Sequence, residues 1–200
     1  PMLDITPTAA ALQRMPVSIA AAGTASECKE LVVTVVFEGE APRHTVIEAV
    51  TLGSEATTFS FTTMQENSAA RVETVPPVKP GDFICEPFPS VMKTGAFRVL
   101  AAAFGLRGFH DNTRLLFASE KVDGFPGTFW KVEEVLPFAS SVIKRFKSKY
   151  PAISIVTRNF GMGADALRGR LGVKEAPGDL RLFAVTDASE KRMMIVSSRQ

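Results

Sequence analysis

The sequence predicts a layered α/β or α+β protein. Short Val/Ile-rich runs alternate with stretches of helical periodicity, and the links between them are short. Hydrophobic residues make up 46% of the 200, enough for a genuine core in one large unit or in two to three small ones.

Met2, Leu3, Ile5, Ala9, Leu12 and Met15 recur at roughly helical spacing, with Asp4 or Thr6 as N-cap and Pro16 as stop. Val17–Ala22 and Leu31–Phe37 read as neighbouring strands joined through Gly23-Thr24-Ala25-Ser26, and Thr45–Leu52 and Thr57–Thr62 as a further pair. From Met64 to Arg71 the chain turns polar. Pro76, Pro77, Pro80 and Gly81 then form a stiff connection, which marks a domain boundary near residue 80. Pro89 suits the first turn of a helix whose apolar stripe, Val91, Phe97, Leu100, Ala101 and Phe104, ends at Gly105. Thr113–Ala118 and Phe129–Val135 read as strands on either side of a Gly124-Phe125-Pro126-Gly127 turn. A helix over 140–150, a strand over 153–157, a short helix over 164–171 and strands over 180–186 and 192–197 complete the chain.

No apolar stretch is long enough to span a bilayer, and no basic segment leads into a signal-like run, which places the protein in the cytoplasm and off the membrane. Cys28 and Cys85 lack metal or redox spacing and read as reduced, buried thiols. The net charge of +2 hides an asymmetry. Residues 1–84 hold 5 Lys and Arg against 10 Asp and Glu, a net of −5, whereas residues 85–200 hold 18 against 11, a net of +7. A basic half suits a polyanion, and an ordinary solvated surface accounts for the same numbers.

A search for catalytic groups finds none that converge. Gly161-Met162-Gly163 lies between a strand and a helix, where free N–H groups can receive a phosphate, but Asp165 in the first turn already complements the dipole and repels an anion. His44 and His110 have no third ligand or nucleophile at metal or triad spacing, and Asp111-Asn112 reads as turn chemistry. Glu133 and Glu134 are adjacent on a strand, so they face opposite sides and cannot share one substrate.

The clearest positive signal runs from Ser140 to Tyr150. Val142, Ile143, Phe146 and Tyr150 share one helical face, which leaves Lys144, Arg145, Lys147 and Lys149 toward solvent. Four cations on one short helix can track phosphates, and Arg158, Arg168 and Arg170 follow nearby; a solubilising face is the competing explanation. Trp130, Phe160 and Phe183 are able to stack on unpaired bases, and core packing explains each equally well.

Several segments match a known family. Glu86-Pro87, Lys93-Thr94-Gly95-Ala96-Phe97, His110-Asp111-Asn112-Thr113 with Leu116-Phe117, and Asp123-Gly124-Phe125-Pro126-Gly127 are one group; Val156-Thr157-Arg158-Asn159-Phe160 and Gly178-Asp179 before Leu182-Phe183-Ala184 are another. The chain resembles the class I methyltransferases that carry a ferredoxin-like segment and a THUMP-like domain after their catalytic domain. Pro1-Met2-Leu3-Asp4-Ile5 and Glu27-Cys28-Lys29-Glu30-Leu31 resemble the tail of that catalytic domain. The chain departs from the family at Gly161, where members usually have proline, and at Pro177-Gly178, where paired glycines are common.

The resemblance implies three regions: residues 1–80 as the C-terminal remnant of a Rossmann-like methyltransferase sheet, 81–128 as the ferredoxin-like segment and 129–200 as the THUMP-like domain. It implies that a cofactor loop for S-adenosylmethionine and the catalytic residues belong to an upstream domain, so that this chain, which begins without methionine in the middle of a motif, is a non-catalytic piece holding no cofactor. By analogy with true THUMP domains the partner is structured RNA, with Lys144, Arg145, Lys147, Lys149, Arg158, Asn159, Arg168 and Arg170 as candidate RNA-binding residues. The alternative is an interaction module that docks on the catalytic domain or pairs with itself into a homo-oligomer.

Overall fold

The computed structural model describes residues 16–35, 44–74, 78–110 and 112–200; the helix expected over residues 2–15 lies outside them, as do Phe37 and Asp111. The described chain is mixed α+β and contains two sheets.

The first sheet has the order β2-β1-β3-β4, built from β1 (Pro16–Thr24), β2 (Cys28–Val35), β3 (Val46–Leu52) and β4 (Thr57–Thr62); each overlaps the run that predicts it, with β2 starting three residues early and β1 extending through Gly23 and Thr24. β1 and β2 form an antiparallel hairpin in which Ala20 faces Val32. Gly23 is required there, because a Cβ would stand 2.2 Å from the Glu27 carbonyl oxygen. β1 runs parallel to β3, with Ile19 beside Ile47 and Ala21 beside Ala49, and β3 runs antiparallel to β4. The odd-numbered side chains Ile19, Ala21, Ile47, Ala49 and Phe61 are buried, as the two-residue period requires. Helix α2 (Pro89–Thr94) packs against β3 and β1, and the Ser90 and Thr51 hydroxyls are 2.7 Å apart in its buried contact.

Two expectations change here. The polar stretch after β4 opens with a helix, α1 (Thr63–Ser68), fixed by a capping box: the Gln65 N–H donates to the Thr62 hydroxyl at 3.2 Å and the Thr62 N–H to the Gln65 amide oxygen at 2.7 Å. The single helix expected from Pro89 to Gly105 is two, α2 and α3 (Arg98–Phe104). Gly95 takes a left-handed conformation (φ 77°) that ends the first. The Glu66 carboxylate accepts the N–H groups of Arg98 and Val99 at 3.1 and 2.9 Å and so caps the second.

The second sheet has seven strands in the order β6-β7-β5-β8-β11-β10-β9. These are β5 (Phe83–Pro87) and β6 (Arg107–Gly108), neither expected from the sequence, β7 (Leu116–Ala118), β8 (Gly127–Pro137), β9 (Ser154–Arg158), β10 (Leu180–Thr186) and β11 (Arg192–Arg199). Helix α4 (Ser140–Lys149) follows β8, and α5 (Ala164–Leu171) connects the parallel strands β9 and β10. β10–β11 and β11–β8 are antiparallel.

Alternation along β10 and β11 divides the core into two layers. Phe183, Val185, Met193 and Ile195 pack with Ile84, Phe117 and Trp130 on one side; Leu182, Ala184, Met194 and Val196 pack with Phe146, Leu167 and Leu171 on the helix side. β8 follows this only because it bulges. Val132 pairs with Ser197 and Glu134 with Val196, which leaves Glu133 as an extra residue. Trp130, Val132 and Val135 therefore share the first layer, and Leu136 turns to the second.

By its internal contacts the chain forms two compact units. One holds the four-stranded sheet with Pro87–Phe104 and Gly124–Gly127; the other holds Val72–Glu86, Gly105–Asp123 and Thr128–Gln200. Among the described residues no helix is long and apolar enough to cross a membrane.

Candidate nucleic-acid interface

Helix α4 starts where Pro137 ends β8 and Ala139, in extended conformation, serves as N-cap. Its apolar positions dock it: Phe146 is buried, and Val142, Ile143 and the following Tyr150 pack partly buried against the helix-side core. Lys144 and Arg145 point away from this face and Lys147 and Lys149 flank it; all four are exposed, and the helix contains no carboxylate. Lys147 and Lys149 lie in the last turn, where cations favour the helix dipole, so part of this charge also serves the fold.

The four cations are not equivalent. The Lys149 ammonium is 2.7 Å from Glu134 Oε2, and the Tyr150 hydroxyl donates to the same oxygen at 2.7 Å. These bonds, that of Lys149 foremost, hold the Glu134 carboxyl below the usual carboxylate range, while burial and then Glu134 push the Tyr150 phenol up. The bulge at Glu133 makes this possible by turning Glu134 toward α4. Glu133 instead accepts from the Ser198 hydroxyl at 2.5 Å, so the two carboxylates serve separate partners. Arg145 Nε lies 3.3 Å from the Ser141 carbonyl oxygen one turn back. The Lys147 stem runs beside the end of α5, 3.6 Å from where a Cβ on Gly172 would stand. Among the described residues neither Lys144 nor Lys147 has a carboxylate partner.

The remaining candidates scatter. Arg168 is bound by both Asp165 and Glu175, and its side chain is only 24% exposed, so its charge is already matched within the protein. Arg170 is exposed, with its guanidinium carbon 5.1 Å from the centre of the Phe138 ring. Arg158 is half-buried at the end of β9, its Nη1 3.4 Å from the Thr157 carbonyl. Asn159 adopts positive φ (50°); its carbonyl accepts from the Thr186 hydroxyl, and its side-chain amide donates to His110 Nδ1 at 3.2 Å. The three aromatics weighed for base stacking, Trp130, Phe160 and Phe183, are all buried in the core.

The structure also assembles groups that sequence spacing did not connect. His110 Nδ1 accepts from the Asn112 N–H at 3.0 Å as well as from Asn159. The ring proton therefore sits on Nε2 and is donated to Glu190 Oε1 at 2.9 Å. Within the described residues, the His110 ring supplies the side-chain acceptor of that turn. Glu190 shares with Asn159 a positive φ, and Thr113 Oγ1 donates to the Thr186 carbonyl at 2.8 Å, so three separate loops meet here. Arg192, absent from the predicted set, lies over Phe138 at 4.9 Å and over Phe160 at 5.9 Å. Cys85 is buried, whereas Cys28 is only half-buried, and both are free thiols.

Comparison with known proteins gives two family matches. Residues 127–199 match the THUMP domain-like family and residues 83–126 a ferredoxin-like domain family. A crystal structure of a candidate methyltransferase from Porphyromonas gingivalis W83 superposes with a TM-score of 0.83 at 28% identity. The similarity covers 94% of this chain and 47% of that one, so the chain spans about half the length of the protein it matches. No curated protein matches the chain. The protein is thus a mixed α+β chain with a ferredoxin-like region followed by a THUMP-like region, similar along almost its whole length to part of a longer protein.

Proposed function

We propose that this chain is the RNA-engaging, substrate-presenting C-terminal region of a longer S-adenosylmethionine-dependent RNA methyltransferase, and that an upstream domain carries out the transfer. The observation that carries this reading is the position of the basic helix. Lys144, Arg145 and Lys147 are exposed on a helix without acids, inside the THUMP-like match. The candidate methyltransferase of about twice the length supports the upstream domain. The four-stranded sheet is compatible with it: parallel β1 and β3 flanked at each edge by an antiparallel strand suit the mixed end of a Rossmann-like sheet.

Two glycine turns among the described residues lack the marks of a cofactor loop. The Gly23 turn is filled by its own backbone at Glu27, and the helix after Gly161-Met162-Gly163 carries Asp165, which opposes an anion. No chemical step is assigned to these residues. Their work is to grip phosphates by shape and charge, which gives affinity without sequence preference and leaves base selection to the catalytic domain.

The test is fluorescence anisotropy with a structured RNA hairpin at increasing salt. Replacing Lys144, Arg145 and Lys147 together by Gln is expected to make the dependence of log K on log salt shallower by about 2, at about 0.7–0.9 for each lost phosphate contact. Lys149→Gln is expected to do less, because that ammonium is engaged by Glu134. Unchanged affinity in the triple variant would remove α4 from the interface. A second reading, a module that docks on a catalytic domain or on itself, is favoured by the exposed Leu31 and Val32 of β2. Tight association with the catalytic half and no RNA binding at low salt would select it.

A further inference from the structure

Arg170 and Arg192 are 22 positions apart and belong to different elements, the last turn of α5 and the start of β11. Both guanidiniums rest on one ring: their central carbons lie 5.1 and 4.9 Å from the centre of Phe138, which bounds their separation at about 10 Å. Phe138 is well anchored. Its N–H donates to the Arg192 carbonyl at 3.1 Å, and its ring meets the buried Phe160 edge-on at 4.9 Å. Arg192 also lies 5.9 Å from the Phe160 ring.

Two neighbouring arginines differ in one respect. Arg168 is matched by Asp165 and Glu175, and Arg181, stacked 4.0 Å over Trp130, is matched by Glu86. Arg170 and Arg192 are exposed and have no carboxylate partner among the described residues. Two like charges are thus held close together, each on an aromatic face, with no carboxylate among the described residues to neutralise them. An aromatic seat restrains a guanidinium without consuming its N–H donors, which remain able to bind an anion through two parallel hydrogen bonds.

We propose that Arg170 and Arg192, seated on Phe138 and Phe160, form a clamp for the phosphodiester backbone of an RNA strand. All four residues fall within the THUMP-like match, and the proposal rests on the RNA-binding reading above. The clamp spans one phosphate or two successive ones and adds a second contact region to that of α4.

The experiment uses the full chain and the same labelled RNA hairpin at 50–300 mM salt. Arg170→Gln with Arg192→Gln is compared with Lys121→Gln with Lys131→Gln, which removes the same charge from exposed positions away from the Phe138 ring. The arginine pair is expected to weaken binding at least about tenfold at 0.1 M salt and to make the salt slope shallower by about 1.5, with the lysine control within about twofold of wild type. An arginine variant that behaves like the lysine control overturns the clamp while leaving RNA binding intact. A wild-type chain that ignores the hairpin at 50 mM salt overturns the RNA reading and the clamp with it. If the glutamine pair fails to fold, Arg170→Lys with Arg192→Lys is read instead: an affinity loss of about threefold or more at unchanged slope supports the clamp, and wild-type affinity overturns it.

Discussion

Strands β2 and β11 are each eight residues long with an apolar middle, yet they occupy opposite surroundings. Met194, Ile195 and Val196 of β11 are 0% exposed, whereas Leu31 and Val32 of β2 are 41% and 50% exposed. The difference comes from their neighbours. β11 lies between β8 and β10 with a core layer on each face; β2 stands at the edge of its sheet and pairs only with β1 among the described residues. An apolar run therefore reports that a strand expects cover, and its local sequence does not say from where. In the seven-stranded unit the cover is present. In the four-stranded unit Leu31 and Val32 stay exposed at the edge strand, so the same signal meets less cover there.

The largest expected effect breaks or sustains this contrast directly. Phe183→Ala, in the buried layer, is expected to lower stability by about 3–5 kcal/mol in urea unfolding, whereas Leu31→Ala on β2 is expected to cost less than about 1 kcal/mol. Equal losses would mean that β2 is as well packed as β11. An intermediate effect separates the thiols. Burial pushes the Cys85 thiol up to about 12, so it is expected to resist an aromatic disulfide reagent at pH 8 until the protein unfolds, while half-buried Cys28 reacts in the native state. Rapid modification of both would show that the unit around Cys85 opens readily.

The smallest effect concerns the attachment of α4. The folded Glu134 carboxyl is depressed by its bonds from Lys149 and Tyr150, so its contribution is present above the unfolded carboxylate value and is lost as pH falls through the lower folded value. Glu134→Gln is expected to flatten the acid side of the stability profile slightly and to leave stability above pH 8 less affected than a core substitution would. An unchanged acid limb in thermal melts from pH 3 to 6 would remove this carboxylate from the attachment.

Much of this architecture was legible in the residues. Val, Ile and Thr runs marked β1, β3, β4, β10 and β11, and the spacing of Val142, Ile143, Phe146 and Tyr150 marked α4 with its basic face. What escaped depended on short or distant signals. The Thr62–Gln65 capping box was present, but the polar residues around it resemble a linker; β5 is five residues long beside a proline-rich connection; and a single glycine at 95 divides what the apolar stripe joins. At the candidate interface, Arg168 counts as free charge until Glu175 folds back onto it from seven positions away. Arg192 acquires meaning only beside Phe138 and Phe160, and His110 only beside Asn159 and Glu190.

The bulge in β8 carries a consequence for how this gene can change. Glu133 is the extra residue that lets Trp130 and Val132 on one side of it, and Val135 on the other, enter the same layer. Exchanging one codon for another at 133 alters an exposed side chain. Losing that codon would put the two halves of the strand out of phase, sending one half's apolar residues to the wrong side and turning Glu134 away from the helix it anchors. Position 133 is thus permissive toward spelling and strict about length, which is the mark to seek where related genes differ by single-residue gaps.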